Sequence, residues 1–267
     1  MSVQTLYTAA TGMQALETKL DVIANNMANI NTTAFKRDRA NFEDLFYRQY
    51  RLPGALDADG NRTSTGIEVG LGTRVSSTQT NHEQGAFQVT NNPLDVAVEG
   101  DGFFKVTTSN GSFYTRAGDF GINESGQLVM GSATQGWVLD PEITIPQEAT
   151  DIVIASNGEV SYRTTDQNQL IPAGQMLLTT FINPDGLLKM GDNLYQETDA
   201  SGVPTEATPG DPGFGFVRQG SLEASNVEPV QELIDLITTQ RAFELNSQVV
   251  QAGDQIMQVA ANLRRFS

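Results

Sequence analysis

Apolar positions near the start of the chain recur at regular steps. Leu6, Ala9, Met13, Leu16, Leu20, Ile23, Met27 and Ile30 alternate between spacings of three and four along residues 3–30. That rhythm predicts a helix with a narrow apolar seam, about 40 Å long at ~1.5 Å per residue. Gln, Thr, Asn and single charges fill the positions between, so the opposite face suits water or polar contacts. The pattern runs out at Asn29-Ile30-Asn31, and Thr32 and Thr33 add β-branched residues that disfavour further helix.

Residues 226–266 repeat the theme. Val230, Ile234, Ile237, Arg241, Leu245, Val249, Ala252, Ile256, Val259, Leu263 and Phe266 form a second seam. Two extra four-residue steps around Arg241 make a stutter, which relaxes a left-handed supercoil toward a straight helix. Asn226 suits the N-cap. Glu228 then falls in the first turn, where the helix dipole favours negative charge, and Pro229 falls at the third helical position, where its missing N–H has no partner to lose. Such a helix spans about 60 Å.

The middle of the chain switches to a different pattern. Short runs rich in β-branched and aromatic residues occupy 94–99, 103–107, 112–116, 127–130, 136–139, 151–155, 159–163 and 177–182. Turn signals such as Asn110-Gly111, Asn157-Gly158 and Asn183-Pro184-Asp185-Gly186 separate them. This spacing predicts an antiparallel sandwich or distorted barrel. Residues 198–215 read as a Pro/Gly/Thr-rich loop. Residues 31–75 fit neither pattern: Lys36, Arg37, Arg39, Arg48 and Arg51 lie among Phe35, Phe42, Leu45, Tyr47 and Leu52-Pro53.

The expected fold class is α+β. A discontinuous, coiled-coil-like pair of long terminal helices (1–30 with 226–267) joins an extended connector (31–82) and an antiparallel β-rich outer domain (83–225). A helix pair buries one face of each member, so both seams are expected to find cover on sister molecules. Packing of the helices on their own domain is the alternative.

Charge and composition narrow the chemistry. The chain has 267 residues, with 16 basic against 32 acidic side chains and a net charge of -16. Residues 83–225 alone carry 19 acidic and 5 basic groups, a net of -14. Such a surface repels phosphate, so neither nucleic acid nor anionic membrane is expected as a partner, and no stretch approaches the ~18 uninterrupted apolar residues that membrane insertion needs. The chain contains no cysteine, which excludes disulfides, thiol nucleophiles and thiolate metal sites. Its one histidine, His82, cannot build a multi-His zinc site. Asp57, Asp59, Asn61 and Glu68 match positions 1, 3, 5 and 12 of a calcium loop, but Arg62 stands where that loop needs glycine. Gly70-Leu71-Gly72 lacks the third glycine of a dinucleotide loop. Trp137 suits a β core better than a sugar platform. No catalytic, cofactor-binding or metal-binding residue is assigned, and no cofactor is expected. The first 16 residues hold no Lys or Arg, so no cleaved signal peptide is expected, and the chain reads as cytosolic or as exported by a route that does not read one.

Three motifs carry a family resemblance. Residues 25–37 (NNMANINTTAFKR), residues 95–104 (DVAVEGDGFF), and residues 220–227 (GSLEASNV) with 239–246 (TQRAFELN) resemble the signatures of bacterial flagellar rod and hook proteins, in order along essentially the whole chain. The segment around 40–75 is most similar to that of the family's distal-rod members. The resemblance implies a non-enzymatic subunit that leaves the cell through the flagellar export apparatus and stacks helically with its own copies. It implies a rigid hollow shaft crossing the periplasm inside the P and L rings, between proximal rod proteins and the hook protein, and carrying torque from motor to hook. Both seams would then be assembly surfaces, together with Asn26, Asn29, Phe35 and Lys36 of the first motif. Phe42, Leu45, Tyr47, Leu52 and Pro53 would form an inter-subunit connector. A hook subunit or another rod subunit of the family, or a secreted oligomeric β-rich binding module, are the alternatives.

Overall fold

The computed structural model describes residues 3–54, 62, 64–108, 111–130, 136–164 and 167–263. Among the described residues it is an α+β protein with two α-helices, a short 3-10 turn at Pro184–Gly186 and many short antiparallel strands. The chain divides into two compact units, one built from 1–28, 38–80 and 228–267 and the other from 29–37 and 81–227. The stretch 31–82 therefore contributes to both.

The first unit holds α1 (Val3–Ala28) and α2 (Pro229–Leu263) with two antiparallel ladders. Asp38–Asp44 pairs with Thr73–Thr80, and Tyr47–Arg51 pairs with Ile67–Gly70. Helix α1 packs against α2 and against the first ladder. Gly72 lets a loop lie directly on α1: its φ is +118°, and a Cβ there would come within 2.1 Å of Thr11 Oγ1.

Both helix boundaries differ from the sequence expectation. Helix α1 ends at Ala28. Asn29 and Thr32 close a turn instead, with Thr32 N–H donating to Asn29 O at 3.2 Å and Thr32 Oγ1 to Asn29 Oδ1 at 3.0 Å. Ile30 thus lies in a turn and not on the helical seam. Helix α2 begins at Pro229, where the ring's fixed φ suits a first helical position and the absent N–H costs nothing. Asn226 is not its cap. Its Oδ1 accepts from Arg37 N–H at 2.7 Å, and its Nδ2 donates to the carbonyls of Asn81 at 2.9 Å and Glu83 at 3.0 Å.

In the second unit, every expected strand overlaps an observed one. A seven-stranded antiparallel sheet runs in the order Leu188–Gly191, Leu194–Gln196, Gly111–Thr115, Phe104–Thr108, Val138–Asp140, Leu128–Met130 and Phe120–Ile122. A three-stranded sheet comprises Ala149–Ile154, Glu159–Thr164 and Gln167–Gln175. The main core gathers Val96, Phe104, Leu128, Leu139, Ile143 and Met176. Trp137 fills a smaller core beside Ala34, Val106 and Ala117, so it packs as a core residue. Thr205–Ala207 forms a strand inside the stretch read as loop, pairing with Leu178–Thr180.

Candidate assembly surfaces

The two helices run antiparallel and in register. Asn26 Nδ2 lies 3.4 Å from Glu232 Oε2, and a Cβ on Gly12 would lie 3.4 Å from Asn246 Nδ2. Equal lengths of chain separate Gly12 from Asn26 and Glu232 from Asn246, so neither helix slips against the other between these contacts. The face that α2 turns toward α1 repeats every seven residues as Glu232, Thr239, Asn246 and Gly253. The first two are 0 % and 2 % exposed. This is a polar and small-residue stripe, and Gly12 opposite Asn246 lets the backbones approach closely.

The predicted apolar seams are treated unequally. On α1, Ala9 and Ile23 are buried, and Leu6, Met13, Leu16, Leu20 and Met27 are half-buried. On α2 the seam points away from α1. Val230, Leu245 and Val259 are 71 %, 61 % and 59 % exposed, and Ile234, Ile237, Arg241, Val249, Ala252 and Ile256 are exposed with them. The Leu263 side chain lies outside the described residues. The expectation that both seams lack cover within the chain therefore fits α2 alone.

Several motif residues expected at subunit contacts are occupied internally. Asn26 is 1 % exposed and bonds to the backbone of Asp38 through both side-chain atoms. Lys36 is likewise 1 % exposed, with Nζ 2.7 Å from Glu83 O and 2.6 Å from Glu223 Oε1. Arg116 Nε reaches the other Glu223 oxygen at 2.7 Å. Burial alone would raise the Glu223 carboxyl, but Arg116 and Lys36 outweigh it and hold the group below its ordinary range. Phe35 is half-buried, with the Lys189 ammonium 5.3 Å from its ring centre.

The connector residues stand open. Phe42, Tyr47, Leu52 and Pro53 are exposed, as are Phe46 at 88 %, Tyr50 and Ile67. Leu45 is half-buried and donates its N–H to Gly72 O at 2.8 Å. A two-stranded ribbon with aromatic side chains in water is marginal by itself.

Small-molecule chemistry finds little footing. Burial pushes His82 down to about 4, so it is neutral at pH 7, and its ring meets Phe103 and Tyr195 at 5.9 Å. Asp57, Asp59 and Asn61 of the calcium-loop pattern lie outside the described residues. Among the described residues no group of three or more acidic or histidine side chains converges as metal ligands. No described helix is long and apolar enough to cross a membrane.

Comparison with known proteins bears on these surfaces. Residues 6–36 match the family described as "Flagella basal body rod protein", residues 97–162 the "Flagellar hook protein FlgE/F/G D1 domain", and residues 218–263 the "Flagellar basal body rod FlgEFG protein C-terminal". "Flagellar basal-body rod protein FlgG" of Caulobacter vibrioides is 45 % identical over 98 % of this chain and 99 % of its own length. The protein of that name in Borreliella burgdorferi is 42 % identical over 97 % and 98 %. "Flagellar hook protein FlgE" of Treponema pallidum is 38 % identical, but over 65 % of this chain and 35 % of its own.

Proposed function

The chain belongs to the bacterial flagellar basal-body rod and hook family, and on that footing we propose that it is a structural subunit of the distal rod. The end-to-end match to rod proteins, against a partial match to a longer hook protein, supports rod over hook. The observation that carries the reading is the open apolar seam of α2, running from Val230 to Val259 along a helix of 35 residues. Each buried large aliphatic side chain gains about 1.5–3 kcal/mol, so a stripe of this length favours association strongly. The end-to-end match to rod proteins is what supports this reading over a secreted oligomeric binding module, whose helices would also carry an open seam.

In this reading copies stack helically, with α1 and α2 forming the inner tube and the acidic β unit the outer wall. The exposed ribbon of Tyr47–Arg51 and Ile67–Gly70 locks neighbouring copies. Subunits leave the cell through the export apparatus before they stack, and the assembled shaft stands between proximal rod proteins and the hook and turns inside the P and L rings. Its mechanism is stiffness: torque passes through buried side-chain contacts and involves no chemical step.

Paired aspartates separate assembly from folding. Val259→Asp should leave the monomer's urea midpoint unchanged and abolish rods, because Val259 faces outward. Ile23→Asp should destabilise the monomer itself by about 3–5 kcal/mol, since it places a carboxylate in a buried aliphatic site. Normal rods with Val259→Asp would contradict the proposal.

A further inference from the structure

Arg241 is the only charged residue in the α2 seam, with apolar side chains on both sides of it along the helix. It is exposed, and among the described residues it joins no ion pair. When the seam is covered, this guanidinium goes with it, and a covered charge without a counter-charge is strongly unfavourable. A covering surface that brings a carboxylate to the middle of the seam would meet that charge, in addition to Glu244 three residues along α2 itself.

The outward face of α1 has that composition. Tyr7, Ala10, Gln14, Glu17, Asp21 and Ala24 alternate between steps of three and four, and all are exposed. The stripe is aromatic or small at its ends and acidic in its centre. Glu17 and Asp21 stand four residues apart, hence one above the other on the same face. Neither joins an ion pair among the described residues. Two stacked carboxylates suit the forked donors of one arginine. The two stripes thus match in sign at their charged centres, with aromatic, small or amide side chains flanking the acidic pair on α1 and aliphatic ones flanking Arg241 on α2.

Within one chain these stripes cannot meet. Helix α2 presents Glu232, Thr239 and Asn246 to α1, and both stripes lie on other faces. We propose that the α2 seam of one copy docks on the outward face of α1 of a second copy, with Arg241 paired to Glu17 and Asp21. This rests on the rod reading above and names the partner surface and its register. The charged centre sets alignment: a shift by one heptad would leave Arg241 against Gln14 or Ala24 instead of the carboxylates.

Charge exchange tests the pairing in cells whose only copy of this gene is the variant, the other rod genes being intact. Arg241→Glu, and separately Glu17→Arg with Asp21→Arg, should reduce swarming to the level of the gene deletion and leave no rods in isolated basal bodies. Combining all three substitutions should restore rods, and Arg241→Lys should retain them. Helical circular dichroism of each purified variant should match the parent, separating lost docking from lost folding. The cysteine-free chain allows a second readout. Glu17→Cys with Arg241→Cys, treated with a short bismaleimide in assembled basal bodies, should give a ladder of linked multimers. Normal rods with Arg241→Glu, no recovery in the triple variant, or linked monomers only would overturn the pairing. Those results would leave the rod reading standing. Motile cells after deletion of the gene would overturn that reading instead.

Discussion

Asn26 faces the backbone of Asp38 as a neighbouring strand would. Its Nδ2 donates to Asp38 O at 2.8 Å, and its Oδ1 accepts from Asp38 N–H at 2.9 Å. The same carboxamide lies 3.4 Å from Glu232 of α2. One side chain therefore joins α1, the first residue of the strand Asp38–Asp44, and α2. A motif residue that reads as a polymer contact works first as an internal staple.

Asn26→Ala should accordingly weaken the helical unit. It leaves the half-buried backbone donor and acceptor of Asp38 without their side-chain partner, at a cost of about 1–3 kcal/mol. Urea unfolding followed by helical circular dichroism measures this. An unchanged midpoint would show that water replaces the carboxamide without loss.

Glu223 is the anionic centre of the second unit, and its removal should be worse than removal of either cation. Glu223→Gln leaves Lys36 and Arg116 as two buried positive charges, a loss of about 3–5 kcal/mol, whereas Lys36→Met leaves the Arg116–Glu223 pair intact. The pH dependence follows from sign. The folded Glu223 carboxyl lies below its unfolded value, so its contribution is present above the ordinary carboxylate range. It is lost as pH falls through the depressed folded value. Stability of the parent should drop in acid more steeply than that of Glu223→Gln; parallel curves would remove this ion cluster from the account.

Much of this was legible in the sequence, and the misses share a cause. Seven-residue spacing marked both helices, and β-branched runs marked eight of the central strands. Local patterns could not show which face of α2 meets α1. The apolar stripe is conspicuous, while the internal contact is made by Glu232, Thr239, Asn246 and Gly253, which lie off that stripe and carry no apolar signal. Nor could they show that Asn226 bridges Arg37, Asn81 and Glu83, or that Lys36 and Arg116 share Glu223, because those contacts join residues far apart in the chain. The Gln167–Gln175 strand was hidden by its own Pro172 and Gly174. The strands of 38–80 were hidden by polar, exposed alternation that resembles a loop.

The exposed ribbon offers a mechanical prediction. Leu71 N–H donates to Phe46 O at 3.1 Å, so residues 46 and 71 are already adjacent. Excising 47–70 and closing the gap with Asn-Gly keeps the Asp38–Asp44 ladder with Thr73–Thr80. Rods of this variant should bend more readily in electron micrographs while the monomer's stability is unchanged; rods as straight as the parent's would remove the ribbon from any locking role.

The central claim is that the α2 seam is open in the single chain and covered in the assembly. With no native cysteine to interfere, Leu245→Cys reports on it directly through its rate of maleimide labelling. Labelling should be rapid in the monomer and at least tenfold slower in intact rods, roughly the effect of a 1.4 kcal/mol burial. Equal rates in monomer and rod would contradict it.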